Sequence, residues 1–353
     1  MTRVAIGAIM KQEAPYILEW VAYHKALGFD LIIADNGGTD NTTKILTALD
    51  TAGIITRIDF RFCIKTPQIP AYRAIMRVAR RLKIDIIGFL DCDEFFARNV
   101  PINALNPDEG ARHIAMEFQN FNASQISYYW LIYGSRTEQR DINLPVLERF
   151  SYHAKIDESL NKKAKSFKSF VNVKDMFRFS NILFLGPQIM SPHIFDGATK
   201  KWIIDDKQVD PITYNQHQRN VTHNNGLILH YIIKSREEFG VKKSRGSATH
   251  DLSKYNNDYF SKFDLNDIYD PIGAEVIAKI HYDIDELRII VSSHYKPDEN
   301  LSFLSILKLR LLAFGLTKFE HRKKYLKFQR YLLRQNYFIA NRLAKLFDHK
   351  PKP

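Results

Sequence analysis

Two carboxylates stand directly after an apolar run, in a pattern that could hold a metal ion. Asp91 and Asp93 follow the apolar run 86–90, and Glu94 comes next. Carboxylates at positions i and i+2 beyond a strand can converge on one ligand as the strand gives way to a turn. Mg²⁺ and Mn²⁺ prefer such oxygen ligands, which substrate phosphates often complete. A bare Asp-x-Asp is weak evidence, but its place after a strand predicts a cation that would neutralise a departing diphosphate.

A second polar cluster follows another apolar run. Residues 35–42 read Asp-Asn-Gly-Gly-Thr-Asp-Asn-Thr, which indicates a glycine turn in which Asp40 or Asn41 caps the next helix. Capping accounts for the downstream polar residues. It does not account for Asp35 and Asn36, which stand at the predicted strand end, where they could hydrogen-bond a base or a ribose.

Alternating strands and helices would position both clusters. Apolar, β-rich runs predict strands at 3–10, 30–34, 54–60 and 85–90, and helical spacing predicts helices at 16–27, 42–52 and 71–83. This alternation predicts an α/β fold with a Rossmann-like, mostly parallel sheet flanked by helices. Ligands of such sheets bind beyond the carboxyl ends of the strands, where both clusters fall. Farther along, strands are predicted at 113–118, 183–186 and 227–233, and a long basic loop at 157–174.

Several motifs occur in a specific order between residues 1 and 240. They are Lys11-Gln12-Glu13, Tyr23-His24, Gly28-Phe29, the cluster 35–42, Asp91-Cys92-Asp93-Glu94-Phe95-Phe96, Tyr133-Gly134-Ser135, Glu148-Arg149-Phe150, His230-Tyr231 and the stretch 234–239. The series resembles the family-2-like glycosyltransferases close to family 92, although many members have Ser where this chain has Gly38. The resemblance implies a GT-A fold and transfer of a sugar from a nucleoside diphosphate, usually UDP. Family analogy favours inversion and a saccharide or glycolipid acceptor in bacterial surface polysaccharide or lipopolysaccharide synthesis.

The resemblance also implies roles for single residues. Asp35 and Asn36 would hold the base and ribose, and Asp91 and Asp93 the ribose and a Mn²⁺ or Mg²⁺ ion. His230 would complete the metal site, although a lone histidine on an apolar strand is often a core residue. The further candidate contacts to the donor are Lys11, Glu13, Gln68, Arg73 and Lys168.

The catalytic base has three candidates. Displacement at the anomeric carbon needs a carboxylate that takes the proton of the acceptor hydroxyl. The motif favours Glu148, whereas Asp205 and Asp206 precede His230 by about the interval expected of the acceptor-side acid. A carboxylate paired to Arg149 would instead form a structural salt bridge.

Charge is distributed unevenly along the 353 residues. The chain has 51 Lys/Arg and 39 Asp/Glu residues, and 13 of the basic and 2 of the acidic residues lie after Leu301. The rest of the chain therefore has 38 basic and 37 acidic residues and is nearly neutral. We expect a catalytic domain at 1–300, with a nucleotide-binding half at about 1–110 and an acceptor half at about 111–240, and a basic amphipathic helical extension at 301–353. The aromatic and basic residues of 302–350 suit an anionic membrane surface, and the alternative is a pair of helices packed on the domain.

Composition restricts the other classes of protein. Cys63 and Cys92 cannot form a disulfide scaffold or a four-ligand zinc site, and no uncharged apolar run of about 18 residues predicts a spanning helix. We therefore expect a cytoplasmic protein, peripheral on the inner face of the membrane. One alternative is nucleic-acid binding through the tail, although the neutral body shows no recognition motif and we expect no nucleic-acid partner. The other is metal-dependent nucleotidyl transfer, which would release pyrophosphate.

Overall fold

The computed structural model describes most of the first 294 residues. The described ranges are 2–61, 67–121, 125–136, 144–155, 167–174, 194–196, 201–202, 226–246 and 255–294. The chain divides into two units, 1–299 and 300–353, and all described residues belong to the first. The predicted strand at 183–186, the candidate bases Asp205 and Asp206 and the basic tail lie outside the described residues. Within those ranges, no helix is both long and apolar enough to cross a lipid bilayer.

The amino-terminal part alternates parallel strands with helices. The strands are β1 (Val4–Met10), β2 (Asp30–Asp35), β3 (Thr56–Asp59) and β4 (Ile86–Phe89), and the helices are α1 (Ile17–Ala26), α2 (Thr42–Thr51) and α3 (Gln68–Arg81). The four strands lie parallel in the order β3-β2-β1-β4. Because helices cover such a sheet, its central strands are apolar throughout rather than alternating. The predicted α/β, Rossmann-like fold is confirmed.

The later strands make the sheet mixed. They are β5 (Glu94–Ala97), β6 (Gln125–Ile132), β7 (Tyr152–His153), β8 (Phe167–Asn172), β9 (Ile194–Asp196), β10 (Lys201–Trp202), β11 (Leu227–His230) and β12 (Ile268–Tyr269). The sheet continues from β4 in the order β8-β6-β9-β10, and β8 is antiparallel to both β4 and β6. Strand β11 pairs with β5 and β6, and β7 pairs with β12.

The remaining helices lie between and after these strands. They are α4 (Ala111–Phe121), α5 (Val146–Arg149), α6 (Arg236–Arg245), α7 (Asn257–Phe263) and α8 (Ala274–Ser293). Helix α8 packs against α1 and α2, with Ile280 and Ile284 buried one turn apart. The scattered helical signals after residue 236 therefore correspond to three helices in this part of the described chain.

Two predictions of local structure were wrong. Residues 113–118 form part of α4 instead of a strand, because Ala111, Ile114 and Phe118 are buried at helical spacing. The predicted loop at 157–174 contains β8, which lies in the sheet between β4 and β6. Phe170 of this strand is fully buried, and its ring lies against Gly88 of β4, where a Cβ would stand 2.6 Å from the ring. The lysines of this segment indicated a solvated loop, but close packing against β4 places part of it in the sheet.

Candidate active site

The carboxyl ends of β1, β2 and β4 form one edge of the sheet. Met10 pairs with Asp35 across β1 and β2, and the amide of Asn36 donates to the Met10 carbonyl at 2.8 Å. Gly37 and Gly38 then turn the chain with φ of 74° and 148°, which favour glycine. Lys11 and Asn36, which are predicted to contact the donor, therefore lie at the same edge of the sheet as Asp91.

Helix α1 holds the turn that carries the paired carboxylates. We name residues 91–94 the acidic turn. The indole N–H of the buried Trp20 donates to the carbonyls of Asp91 and Glu94 at 3.1 and 3.0 Å. The Tyr23 hydroxyl donates to the carbonyl of Phe96 at 2.7 Å. Trp20 and Tyr23 of α1 thus fix the start and end of the acidic turn and the strand that follows it.

His24, which follows Tyr23 on α1, has a structural role. His24 is fully buried, and burial lowers its pKa to about 3, so the ring is neutral at physiological pH. Its Nδ1 lies 2.9 Å from the Trp20 carbonyl, and its Nε2 accepts from the Phe96 amide at 3.4 Å. His24 therefore holds β5 against α1.

Lys168 joins two carboxylates of the acidic turn. Its Nζ lies 3.0 Å from Asp91 Oδ2 and 2.9 Å from Glu94 Oε2. Burial opposes the charge on Lys168, but the two carboxylates raise its pKa well above the usual value. Burial raises the pKa of Glu94 to about 8 in spite of this lysine. The Lys168 side chain is 1% exposed and that of Asp91 is 42% exposed, so Asp91 is the member of this group that a ligand can reach.

The amino-terminal turn of α3 lies beside this group. The fully buried Tyr72 hydroxyl accepts a hydrogen bond from Gln68 at 3.3 Å. Burial raises the pKa of Tyr72, and the charge of Asp91 raises it further. Gln68, a predicted donor contact, is therefore bonded to a residue that lies near enough to Asp91 for their charges to interact. Arg73 lies half-buried on the same helix.

Asp93 lies among three basic side chains. Its Oδ2 is 2.6 Å from Lys242 Nζ and 3.9 Å from Lys234 Nζ, and its Oδ1 is 3.7 Å from His230 Nε2. Burial alone would raise the pKa of Asp93, but Lys242 and Lys234 hold it far below its usual range. Burial lowers the pKa of His230 to about 3, so this ring is neutral. Lys242 Nζ also donates to the Ile232 carbonyl at 2.6 Å.

Helix α6 also places a guanidinium at the end of β1. Arg245 forms an ion pair with Glu13. It also donates to the carbonyls of Lys11 and Gln12, at 2.9 and 3.4 Å. The candidate donor residues Lys11 and Glu13 are therefore connected to α6, and Arg245 lies near enough to Asp93 for their charges to interact.

The orientation of α6 is fixed by a capping box. The Ser235 hydroxyl accepts from the Glu238 amide at 3.2 Å, and the Glu238 carboxylate accepts from the Ser235 amide at 3.1 Å. Arg149 forms two hydrogen bonds to the same carboxylate, at 2.9 and 3.0 Å, and Tyr16 adds a third at 2.9 Å. This network fixes the beginning of the helix whose later turns carry Lys242 and Arg245.

Asp35 is engaged within the protein. Its fully buried carboxylate accepts hydrogen bonds from the Gly37 amide at 2.9 Å, from Thr43 Oγ1 at 3.1 Å and from Arg57 Nη2 at 2.6 Å. These contacts hold the turn that follows β2. The neighbouring Asn36 is half-buried. Nucleotide binding by Asp35 and Asn36 stays a prediction.

Glu148 has a partner on another helix. Its Oε2 lies 2.7 Å from His281 Nε2 on α8. Arg149, the residue weighed as its structural partner, pairs with Glu238 instead. The described contacts thus place Glu148 with α8 rather than with the acidic turn, and its role as a base stays a prediction.

The predicted metal ligands can be tested against this geometry. Asp91 and Asp93 each have an ammonium group on Oδ2, at 3.0 and 2.6 Å. A divalent ion would coordinate such oxygens at about 2.0–2.2 Å. Over the described part of the chain, no three His, Cys, Asp or Glu side chains are arranged to hold a metal ion. Asp91, Asp93 and His230 as placed therefore do not form a ready divalent site, and the Mn²⁺ or Mg²⁺ ion stays a prediction.

Sequence reasoning missed Lys242 and Arg245. The sequence does contain one signal for them, the capping-box pattern Ser235-x-x-Glu238, which predicts that a helix begins there. On such a helix Lys242 and Arg245, at positions i and i+3, lie on the same face. Nothing local in the sequence indicates that this side meets residues 13 and 93.

Comparisons with known proteins give only distant similarities. No protein-family profile and no curated protein matches the sequence. Two structures of S. aureus TarS, one in complex with UDP, align over 50% of this chain at 10% and 12% identity, each with a TM-score of 0.31. The aligned parts span 29% and 48% of those chains, so less than half of either. A cytidylyltransferase from Leptospira borgpetersenii serovar Hardjo-bovis aligns over 84% of this chain and 98% of its own, at 10% identity and a TM-score of 0.31.

Proposed function

We propose that the chain is a glycosyltransferase that moves a sugar from a nucleoside-diphosphate sugar, in particular a UDP-sugar, to a saccharide or glycolipid acceptor. One observation supports this above the others. Lys168 of β8, His230 of β11 and Lys242 of α6 lie within 4 Å of carboxylates of the acidic turn, which follows β4 at the carboxyl edge of the parallel strands. Ligands of open α/β sheets bind at this edge.

The charges at this site suit a leaving diphosphate. Departure of a nucleoside diphosphate from the anomeric carbon develops negative charge on its terminal phosphate. Cations that are already in place stabilise this charge without reorganisation of solvent. Lys242 and Arg245 would bind the phosphates, and the exposed carboxylate of Asp91 would accept hydrogen bonds from the ribose. We propose inversion, with Glu148, Asp205 and Asp206 as the candidate bases.

The acceptor is proposed to lie at a membrane. The basic and aromatic tail, residues 302–350, would hold the enzyme at an anionic surface, where acceptors on lipid carriers of surface polysaccharide or lipopolysaccharide are available.

Product analysis with a panel of nucleotide sugars tests the proposed reaction. We expect release of a nucleoside diphosphate from at least one donor, and a loss of about tenfold or more in Asp93→Asn, because this change leaves the lysines around it without their carboxylate. Asp283→Asn is the matched control, since Asp283 pairs with Lys279 on the surface of α8. Release of pyrophosphate from a nucleoside triphosphate would instead indicate nucleotidyl transfer, and no turnover of any donor would refute the proposal.

A further inference from the structure

The counter-charge for a bound diphosphate is already present as lysine side chains. We propose that Lys168 and Lys242 take the place of a divalent cation, so that this site binds the diphosphate of its donor without a metal ion. The inference rests on the proposed function and goes beyond it, because it assigns the electrostatic role at the acidic turn to residues of the chain itself.

A divalent ion at the acidic turn would compete with the two lysines for two carboxylate oxygens. Asp91 Oδ2 and Asp93 Oδ2 are the atoms that the two ammonium groups contact, at 3.0 and 2.6 Å. A divalent ion bound to either oxygen would lie within a few ångströms of a lysine charge. Like charges at such a distance repel each other, so a divalent ion would bind these two oxygens more weakly than it would if the lysines were absent.

Both lysines are held in place by other parts of the protein. Lys168 projects from β8 in the interior of the sheet, and its side chain is 1% exposed. Lys242 is bonded to the Ile232 carbonyl at 2.6 Å, and it belongs to the helix that the capping box fixes. Movement of either ammonium would break contacts with groups outside the carboxylate pair. Fixed charges of this kind need no rearrangement when a phosphate arrives.

Lys242 has a hydrogen-bond donor to spare. An ammonium group has three, and the described hydrogen bonds of Lys242 use two, on Asp93 and Ile232. Lys242 therefore has one N–H with which to meet a phosphate oxygen while it keeps its carboxylate. Lys168, whose side chain is 1% exposed, acts from behind Asp91 through its charge and not by direct contact.

Two ammonium groups lie beside the Asp93 carboxylate. Lys234 Nζ lies 3.9 Å from the oxygen that Lys242 contacts at 2.6 Å, and Arg245, which pairs with Glu13, lies nearby. These cations would attract an incoming phosphate, whereas they would repel a divalent cation at the same place.

Calorimetric titration of the full chain with UDP tests the inference. We expect binding in EDTA and binding in MnCl₂ to have dissociation constants within about twofold of each other. Lys242→Met should weaken binding by about tenfold or more in EDTA, the effect of one lost charge-assisted hydrogen bond. Lys168→Met should weaken it as well, because Asp91 and Glu94 then lose their counter-ion and repel the phosphates. The matched controls are Lys243→Met on α6 and Lys174→Met just after β8, which remove the same charge from exposed positions and should bind like the wild type.

The outcomes separate this inference from the proposed function. Binding that requires Mn²⁺, or unchanged binding in Lys242→Met, overturns the inference and leaves the proposed glycosyl transfer standing. No binding of UDP or of any other nucleoside diphosphate under either condition overturns both. Lys242 is half-buried on a helix, so its replacement tests the inference even if Lys168→Met, at a buried position, fails to fold.

Discussion

Replacing Trp20 by phenylalanine should loosen the acidic turn. The change removes the indole N–H, the one donor that the Asp91 carbonyl at 3.1 Å and the Glu94 carbonyl at 3.0 Å share. A single N–H makes one bifurcated hydrogen bond, worth about 0.5–1.5 kcal/mol net. The smaller ring also leaves a void of roughly 40 Å³, which at about 24 cal/mol per Å³ costs about 1 kcal/mol more. We expect a loss of about 1.5–2.5 kcal/mol in the free energy of unfolding, measured by urea denaturation.

Trp20→Phe should affect ligand binding as well as stability. Because the two carbonyls belong to the turn that carries the carboxylates, Trp20→Phe should also weaken UDP binding in calorimetry. The matched control is Tyr23→Phe, which removes one buried hydrogen bond, to the Phe96 carbonyl at 2.7 Å. This control should lose stability but keep its affinity for UDP. Equal affinity in Trp20→Phe and the wild type, at reduced stability, would refute the positioning role of the indole.

Two further predictions concern the carboxylate at the start of α6 and the basic tail. Burial alone would raise the pKa of Glu238, but Arg149 and Ser235 hold it at about 2, below the ordinary value of 4.5. The ionised carboxylate should therefore contribute about 3 kcal/mol of stability above pH 4.5, which is lost as the pH falls from 4.5 to 2. Urea denaturation across this window should show the loss in the wild type and not in Glu238→Gln, and parallel curves would contradict the prediction. The full chain should sediment with anionic vesicles at low salt and dissociate at high salt, whereas a chain that ends at Glu299 should not bind; equal sedimentation of both would count against the tail proposal.

The nucleotide-binding part of the fold could be predicted because its signals are local. Buried parallel strands need uninterrupted apolar runs, and the helices between them show helical spacing, so the first four strands and three helices follow from short windows of sequence. The strand prediction at 113–118 was wrong because a run of six mainly apolar residues fits both the period of a helix and that of a strand. The deciding features lie outside the run, in the 3₁₀ turn Pro107–Glu109, which Asn106 caps, and in the helical burial of Ala111, which precedes it.

The candidate site likewise has one part that local sequence predicts and another part that depends on long-range contacts. The place of Asp91 and Asp93 beyond an apolar strand is visible in the sequence. Lys242 contacts Asp93 across 149 positions of chain, and Lys168 contacts Asp91 across 77. Contacts over such separations depend on how the sheet and α6 assemble, which no local pattern encodes. A lysine in a polar stretch is most often solvated, so burial of Lys168 could be found only after β8 was placed between its neighbours.

The pairing of each acidic residue with a lysine also changes how substitutions in the acidic turn should be interpreted. Loss of activity in an Asp93 variant would ordinarily be attributed to a lost metal ligand. In this structure the same change releases Lys242 from its 2.6 Å contact, so the ammonium proposed to meet the phosphate loses its position. Residues in direct contact have coupled free energies. The costs of removing Asp93 and Lys242 should therefore not add, since the carboxylate acts largely by holding the ammonium where the diphosphate would lie.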